Sequence, residues 1–472
     1  MSDIARALEL KENSIDFVYD DEGAIATALE SYAALKGQKN SYGIKQQNLT
    51  VDLFLTQGEI GEKTPLDLFI EQVYGFSEED LALLKSWSRN FIGLFEIQAI
   101  EADCYRLMNW LTAKTYKVYA HAGMSEKETS RWQPGEIILC IIAPINEHEW
   151  FFFGDRIIKG KLSQPKLAVA VGEFRDNYPE SLYADAPELL EQAWSSVAVY
   201  HEKFVDYMGS DRLTLPGYQL NKKIGELQQI MSREKLAEAG IDDTKSLEEL
   251  LAESGKTEEE FAAAAEDMGA DAEAVAKLME QKNRSMVTPK VDLPLDIKQA
   301  ESVTVYSEPR WGQMFLPNFE KFTDLLKDAS GTVESSDDHS KQSAVGAKAP
   351  SSSRSAAQDK GHVRIYAHQE SDRLVQKYLE LPEANYYIWQ QLKQSYSEGL
   401  TKLLQSCLNR PDFDLEKDLD GLLLQYQKLP TPELPAIASV PIHLNNLFEA
   451  ALAQVQKTKS KTKKKKKKGF SI

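Results

Sequence analysis

The sequence has few of the residues that mark a disulfide framework, a zinc site or a hydrolase. Only three cysteines occur among 472 residues, Cys104, Cys140 and Cys407, and their spacing fits no metal-ligand pattern. We interpret all three as small buried apolar residues, which fits a reducing compartment. The seven histidines are scattered, and there is no His-Glu-x-x-His pair, phosphate-binding loop or Gly-x-Ser-x-Gly turn. We therefore expect no catalytic residue, cofactor or metal, and an enzyme with a site assembled from distant residues stays an alternative.

Long apolar runs are also missing. No stretch approaches the roughly 18 apolar residues that a membrane-spanning helix needs. The first residues, Met1 to Arg6, lack the apolar core of a signal peptide. We therefore predict a cytoplasmic protein without a transmembrane segment.

Outside the C-terminal end, positive charge is outnumbered by negative charge, with 55 − 9 = 46 Lys and Arg against 73 Asp and Glu. The formal net charge is −18, and nine lysines lie between Lys457 and Lys468, so the remainder carries −18 − 9 = −27. A lysine run is usually solvated and disordered, and it binds polyanions such as RNA, ribosomes or DNA without sequence preference. We predict weak polyanion contact through this polybasic tail. The candidate residues are Lys463, Lys464, Lys465, Lys466, Lys467 and Lys468.

Residues 91–161 form the long part of the sequence that is typical of strands. Tyr116, Val118 and Ala120 alternate with polar or aromatic neighbours, and Ile137–Ile142 is continuously apolar, as in a fully buried strand. Five or six short antiparallel strands suit a small closed barrel, which we predict to be SH3-like or, as the alternative, OB-like. Its eight basic and nine acidic residues make a poor phosphate track, so we interpret its aromatic residues as core.

Helical periodicity dominates the other parts of the chain. We predict an α+β, multidomain, mostly helical protein, with the small barrel embedded in an N-terminal helical globule and with further helical modules. Thr64-Pro65 and Ser77 are helix-start signals, whereas the alternation of apolar residues over Leu49–Leu55 suggests a strand. The predicted parts are an N-terminal helical part (1–90), the barrel (91–161), helices packing on the barrel (162–232), an acidic three-helix module (233–287), an extended strap with a short helix (288–328), a disordered linker (329–361), a C-terminal helical domain (362–456) and a lysine-rich disordered tail (457–472).

The strap, Val303–Pro317, combines residues that favour extended structure with aromatic and basic side chains. It either packs across the domains or binds a protein partner, because Trp, Tyr and Arg are common interface anchors. The partner-binding candidates are Tyr306, Arg310, Trp311 and Phe315. We therefore predict a non-enzymatic adaptor for a protein partner. The alternative is an RNA- or ribosome-associated accessory protein that binds through the tail and the barrel.

Three stretches carry a resemblance to known proteins. They are Ser86–Glu96 at the start of the barrel, Tyr306–Gln313 in the strap and Ile437–Leu444 before the lysine tail. Together they resemble a group of uncharacterised cyanobacterial proteins of similar length. The resemblance implies a cyanobacterial cytoplasmic protein, and it implies no activity and no site.

Overall fold

The computed structural model describes residues 3–37, 44–101, 103–120, 123–124, 129–238, 286–289, 291, 293–331 and 371–468. The helices are α1 (Asp3–Asp20), α2 (Ala24–Gly37), α3 (Ile44–Gln57), α4 (Pro65–Gln72), α5 (Glu78–Ser86), α6 (Gln164–Asn177), α7 (Pro187–Met208), α8 (Gly217–Glu238), α9 (Leu295–Gln299), α10 (Phe319–Ser330), α11 (371–380), α12 (Tyr386–Cys407), α13 (Leu415–Gln425) and α14 (Ile442–Lys468). The strands are β1 (Phe91–Ile100), β2 (Cys104–Asn109), β3 (Thr115–Tyr119), β4 (Ile137–Pro144), β5 (Glu149–Gly160), β6 (Arg212–Leu215), β7 (Met286–Val287), β8 (Val303–Glu308), β9 (Gly312–Pro317) and β10 (Val440–Pro441).

The fold is α+β and mostly helical, with several small sheets, as the sequence predicts. Within the part of the chain that the structure describes, no helix has the length and apolar character needed to cross a membrane.

The described residues divide into two compact units. Unit 1 holds the chain up to Ala193, strand β7 and everything from Ser439 onward, and unit 2 holds the rest. The division falls inside α7 and does not follow the predicted boundaries. The helices expected to pack on the barrel (162–232) are divided between the two units. The last part of the predicted C-terminal domain (362–456), from Ser439 onward, belongs to unit 1.

A closed five-stranded barrel lies at the centre of unit 1, in the order β1-β2-β3-β5-β4. Its neighbours are antiparallel except for β3 and β5, which run parallel, with Val118 opposite Trp150. The sequence predicted only antiparallel pairs and allowed a sixth strand over Asp155–Ile158. Those residues instead continue β5, which stays paired with β4 across two register shifts.

Both faces of strand β4 are buried, as its apolar run predicts. One set of side chains points into the barrel, whose interior is filled by aromatic and aliphatic groups. Helices α3 and α5 cover the outer side of β4. The Trp87 ring packs on two rings of β5, and its centroid lies 6.0 Å from that of Phe151 and 5.1 Å from that of Phe153. The barrel is therefore a packed core. Of the six tyrosine and tryptophan residues that we interpret as mostly core, Trp110 and Tyr119 are half-buried and the other four are buried, namely Tyr105, Tyr116, Trp132 and Trp150.

Local capping signals fix two helices of unit 1. The Thr64 hydroxyl accepts from the Asp67 amide and the Asp67 carboxylate accepts from the Thr64 amide, and Ser77 and Asp80 repeat this capping box at α5. The alternation over Leu49–Leu55 does not form a strand, because those residues belong to α3. Leu49, Asp52 and Phe54 are all buried there, so the segment is enclosed on more than one side and the two-residue period carried no information.

The C-terminal segment returns to unit 1. Strand β10 pairs with β7, with Val440 opposite Val287, and α14 packs against α6. Leu444, Leu447 and Ala451 of α14 are buried. The helix continues through Lys468, so residues 457–468 are helical and not the disordered tail that the sequence predicted.

Unit 2 is built on a three-stranded sheet and helices. The sheet has the order β6-β8-β9, and one apolar cluster joins β9 to α10, α11, α12 and α13. Phe322 and Tyr378 stack face to face in this cluster, 4.3 Å between ring centroids. Most of the predicted acidic module (233–287) and of the predicted linker (329–361) lies outside the described residues. Of the described parts, 233–238 end α8, 286–287 form strand β7, 329–330 end α10 and Gly331 is the C-cap of that helix.

Candidate functional site

The predicted strap folds into a β-hairpin of unit 2, so its chain reverses direction and does not run as one extended segment. Strands β8 and β9 are antiparallel. Val303 lies opposite Pro317 at one end, and Glu308 lies opposite Gly312 at the turn. The Glu308 carboxylate closes the turn, because it accepts from the backbone amides of Arg310 (2.7 Å) and Trp311 (2.6 Å). Glu308–Trp311 of the predicted extended strap is therefore a local hydrogen-bonded turn.

Three of the four strap candidates pack inside unit 2. Phe315 is buried, Trp311 packs on Tyr387 with ring centroids 6.4 Å apart, and Tyr306 packs edge-on against Phe319 at 5.7 Å. Packing is thus the main task of these aromatic side chains. Arg310 differs, because it is exposed and its guanidinium lies 4.3 Å above the half-buried ring of Trp194.

The lysine run is the last part of helix α14, which is held at its start. The half-buried His443 ring donates through Nε2 to the carbonyl oxygen of Trp110 at 2.7 Å, and burial lowers the pKa of His443. With β10 paired to β7, these contacts fix the beginning of α14 on unit 1. The backbone of α14 then carries Lys463, Lys464, Lys465, Lys466, Lys467 and Lys468 in its last two turns.

The barrel is the other predicted polyanion contact, and two basic residues lie side by side on its strands β2 and β3. Arg106 lies opposite Lys117 in the register of these strands. Each cation has an acidic neighbour, at 3.1 Å for Arg106 with Glu101 and 2.8 Å for Lys117 with Glu149. The Lys117 ammonium, together with the hydroxyl of a neighbouring tyrosine, holds the pKa of Glu149 at about 2. This face is charge-balanced, as the sequence predicted for the barrel.

A polar cleft in unit 1, which we call the α1–α3–β5 cleft, brings together residues that the sequence did not single out. It has a volume of about 270 Å³. Its charged and amide side chains are Lys11 of α1, Asn48 and Asp52 of α3, and Asp155 and Arg156 of β5. The helical spacing explains the placement, because positions four apart on α3 lie on the same face.

A buried ion pair forms the floor of the cleft. Lys11 Nζ lies 2.7 Å from Asp52 Oδ1, and Asp52 is only 4% exposed. Burial raises the pKa of the Asp52 carboxyl; Lys11 opposes this shift, and the nearby Asp155 carboxylate adds to it. Asn48 Nδ2 donates to Asp155 Oδ2 at 2.7 Å, so the second carboxylate is also held in place.

Gly154 allows the Asp52 carboxylate to approach the barrel. A Cβ atom on Gly154 would lie 2.3 Å from Asp52 Oδ2, which is far inside contact distance. Next to it, Arg156 is buried, donates from Nη1 to the Gly154 carbonyl at 3.1 Å and lies over the Phe152 ring. The apolar walls of the cleft are formed by Leu8, Ile15, Tyr19, Val51 and Phe153.

The sequence contained one usable signal for this cleft. Asp52 interrupts an otherwise apolar run in α3, and a charged residue inside a buried run requires a partner. The partner could not be found from the sequence, because Lys11 is on another helix and Asp155 and Arg156 are on a strand more than a hundred positions away. Among the described residues, no group of three or more His, Cys, Asp and Glu side chains is arranged to hold a metal ion.

Comparison of the chain with known protein families, with curated proteins and with solved structures finds no match. The functional conclusion therefore depends on the residues described above.

Proposed function

We propose that this chain is a non-enzymatic, multidomain protein-interaction protein, an adaptor, whose lysine run makes weak, sequence-independent contact with RNA. The observation that carries the proposal is the anchored start of α14 and its continuation as one helix through Lys468. Twelve helical residues rise about 18 Å, and the sequence places nine lysines in that length. One positive charge per about 2 Å approaches the phosphate density of a duplex nucleic acid, about one per 1.7 Å.

The charges of the lysine run also favour a polyanion for a simple reason. Lysines three and four apart on a helix repel each other, and each such pair costs a few tenths of a kcal/mol. Pairs such as Lys463 with Lys467 and Lys464 with Lys468 have this spacing. Phosphates that neutralise the lysines remove the repulsion, so binding and helix formation support each other.

The protein-partner part of the proposal rests on the exposed stack of Arg310 on Trp194. A guanidinium that already contacts an indole ring has less side-chain freedom left to lose when a partner binds. The acidic body, with −27 outside the lysine run as calculated above, favours partners with basic surfaces. We keep the cytoplasmic location and the cyanobacterial origin as parts of this proposal, and three free cysteines support a reducing compartment.

A second candidate function is an RNA- or ribosome-associated accessory protein that binds through both the lysine run and the barrel. The strand order, with β3 and β5 parallel, favours an OB-like over an SH3-like barrel, and OB folds bind oligonucleotides or oligosaccharides. The ion pairs of Arg106 and Lys117 weigh against this route. An enzyme with a non-local site is the remaining alternative, and the buried Asp52 in its cleft is the feature that favours it.

Filter binding of a labelled single-stranded RNA of mixed sequence tests the proposal. We expect the full chain to bind at low salt and a chain ending at Gln456 not to bind. Between about 50 and 200 mM salt the affinity should fall by at least tenfold, because binding releases counterions from the phosphates. If the shortened chain retains the affinity, the lysine run is not the contact and the barrel becomes the candidate.

A matched pair of variants separates the position of the lysines from net charge. One carries Lys466→Gln, Lys467→Gln and Lys468→Gln, and the other Lys222→Gln, Lys321→Gln and Lys417→Gln on the surface of unit 2. Both have a net charge of −18 − 3 = −21, and the control lysines are 66–80% exposed. We expect weaker binding and a smaller salt slope only for the first variant. Equal loss in both would mean that overall charge and not the lysine run governs RNA contact.

A further inference from the structure

The α1–α3–β5 cleft takes no part in the proposed RNA contact. It nevertheless has the composition of a binding site, because each of its three elements contributes both polar and apolar lining residues. Its volume of about 270 Å³ lies just below the about 300–1,000 Å³ that is usual for pockets of drug-sized ligands. A ligand that fills it must therefore be small.

The charges of the cleft cancel. Lys11 and Arg156 contribute two positive charges, and Asp52 and Asp155 contribute two negative charges when both are ionised. Lys11 already faces Asp52 at 2.7 Å, so an added anion meets a cation whose field is largely compensated. A metal ion is also disfavoured, because the described residues hold no group of three His, Cys, Asp or Glu ligands. The balance favours a ligand without net charge.

The polar groups offer both kinds of hydrogen bond. The carboxylates of Asp52 and Asp155 accept, whereas the Lys11 ammonium and the Asn48 amide donate. The contacts among them use only part of this capacity, since a carboxylate has about four acceptor positions and an ammonium has three donors. Hydroxyl groups both donate and accept, and neighbouring hydroxyls can bridge such alternating partners.

An aromatic ring completes the cleft. Tyr19 lines it and is 59% exposed, although large aromatic side chains are usually much more buried. Ring faces are electron-rich, and the aliphatic C–H groups of a sugar ring pack favourably on them. Exposed aromatic surface beside planar polar groups suits a ring that has apolar faces and hydroxyls at its edge.

We propose that the α1–α3–β5 cleft binds a small neutral polyol of monosaccharide size, with Tyr19 under the ring and with Lys11, Asn48, Asp52 and Asp155 around its hydroxyls. The ligand class follows from the cancelled charges, the mixed donors and acceptors, the small volume and the exposed ring. This places a small-molecule site between two helices and the barrel, separate from the lysine run.

Saturation-transfer NMR on the full chain tests this site with four probes, D-glucose, D-galactose, D-mannose and myo-inositol, and with sodium glutamate and sodium methyl phosphate, which both carry C–H protons, as charged comparators. We expect transfer to at least one neutral probe and none to the charged ones. Tyr19→Ala should weaken that binding about five- to tenfold through loss of stacking. Asp155→Asn should weaken it by about tenfold or more, because a hydrogen bond to a carboxylate is replaced by one to an amide.

The control is Tyr74→Ala, because Tyr74 is 93% exposed in unit 1 and does not line the cleft. It should bind the probe as the unchanged chain does, and circular dichroism should show that all variants are folded. Three results would overturn the proposal: no transfer to any neutral probe, binding unaffected by Tyr19→Ala and Asp155→Asn, or preferential binding of glutamate or methyl phosphate that Asp155→Asn alters.

Discussion

Arg6 and Asp80 form a two-pronged ion pair that joins α1 to α5. Arg6 Nε donates to Asp80 Oδ1 and Arg6 Nη2 to Asp80 Oδ2, both at 2.7 Å, across 74 positions of the chain. Asp80 is buried, and it also accepts from the Ser77 amide in the capping box. One carboxylate therefore both caps a helix and attaches that helix to the N-terminal one.

The Arg6–Asp80 pair predicts a specific dependence of stability on pH. Arg6 holds the pKa of Asp80 well below its usual range, so the stabilisation is complete above the ordinary carboxyl pKa of about 4 and is lost as pH falls toward the pKa of the folded state. We expect Asp80→Asn to lower the free energy of unfolding by about 1–3 kcal/mol at neutral pH. The difference from the unchanged chain should shrink below about pH 4 in urea unfolding.

Glu9→Gln is the control for this prediction. Glu9 is the other partner of Arg6, at 2.8 Å, but its side chain is 46% exposed. Exposed pairs of this kind contribute about 0–1 kcal/mol, so little change is expected at any pH. A loss at neutral pH that is as large for Glu9→Gln as for Asp80→Asn would contradict the assigned role of the buried pair.

The close packing around Gly399 leads us to predict that one added methyl group destabilises unit 2. A Cβ atom on Gly399 would lie 1.9 Å from the Leu326 carbonyl oxygen of α10, and a backbone atom cannot rotate away. We expect Gly399→Ala to lower the free energy of unfolding by about 1–3 kcal/mol, as other overpacked cores show. Urea unfolding followed by circular dichroism measures this change.

Gly421→Ala is a matched substitution in α13. No atom lies within 4 Å of the added Cβ, and neither Gly421 nor Gly399 has a positive φ. The better helix propensity of alanine should raise the free energy of unfolding by up to about 1 kcal/mol. Opposite signs for the two variants are expected, and equal effects would mean that the close approach of α10 and α12 does not limit the packing.

The buried ammonium of Lys428 leads us to predict that, at alkaline pH, the unchanged chain gains stability relative to Lys428→Met. Lys428 is 5% exposed, and its ammonium donates to the Leu381 carbonyl at 2.8 Å. Burial lowers the pKa of Lys428 to about 8, so between this pH and the unfolded value of about 10.4 the unfolded chain binds more protons. The stability relative to Lys428→Met should rise across that window, by at most about 1.4 kcal/mol per pH unit.

The comparison for Lys428 is Lys417→Met, because the Lys417 side chain is 80% exposed. Its stability difference from the unchanged chain should stay constant over the same pH range in urea unfolding. A constant difference for Lys428→Met as well would show that the buried ammonium keeps its proton throughout.

Local patterns determined several elements of this protein. The apolar run of Ile137–Ile142 specified a strand buried on both faces, because no alternation means no solvent side. Thr64-Pro65 and Ser77 specified two helix starts through hydrogen bonds that reach only three residues along the chain. Two cysteines are buried as expected, whereas Cys407 is half-buried on α12.

Other features depended on which segments meet in three dimensions. The segment Leu49–Leu55 alternates like a strand yet is helical, because α1, the barrel and α2 surround it. Strand β8 of the predicted strap also pairs with β6, which lies about 90 positions earlier in the chain. The turn that Glu308 closes contains the turn residues Pro309 and Gly312, the glycine at positive φ, but not the Asn-Gly or Asp-Gly pair that marks a two-residue hairpin.

The sequence by itself determined the α+β class, the barrel segment and the contrast between an acidic body and a basic end, because composition and short-range periodicity encode these properties. Only the tertiary structure decided that β3 runs parallel to β5, that the chain from Ser439 returns to unit 1 and that Lys11, Asp52 and Asp155 share one cleft. The physical reason is that a charge or an apolar face fixes the kind of partner it needs, but many distant segments offer that partner. The choice among them is made by the packing of the whole unit.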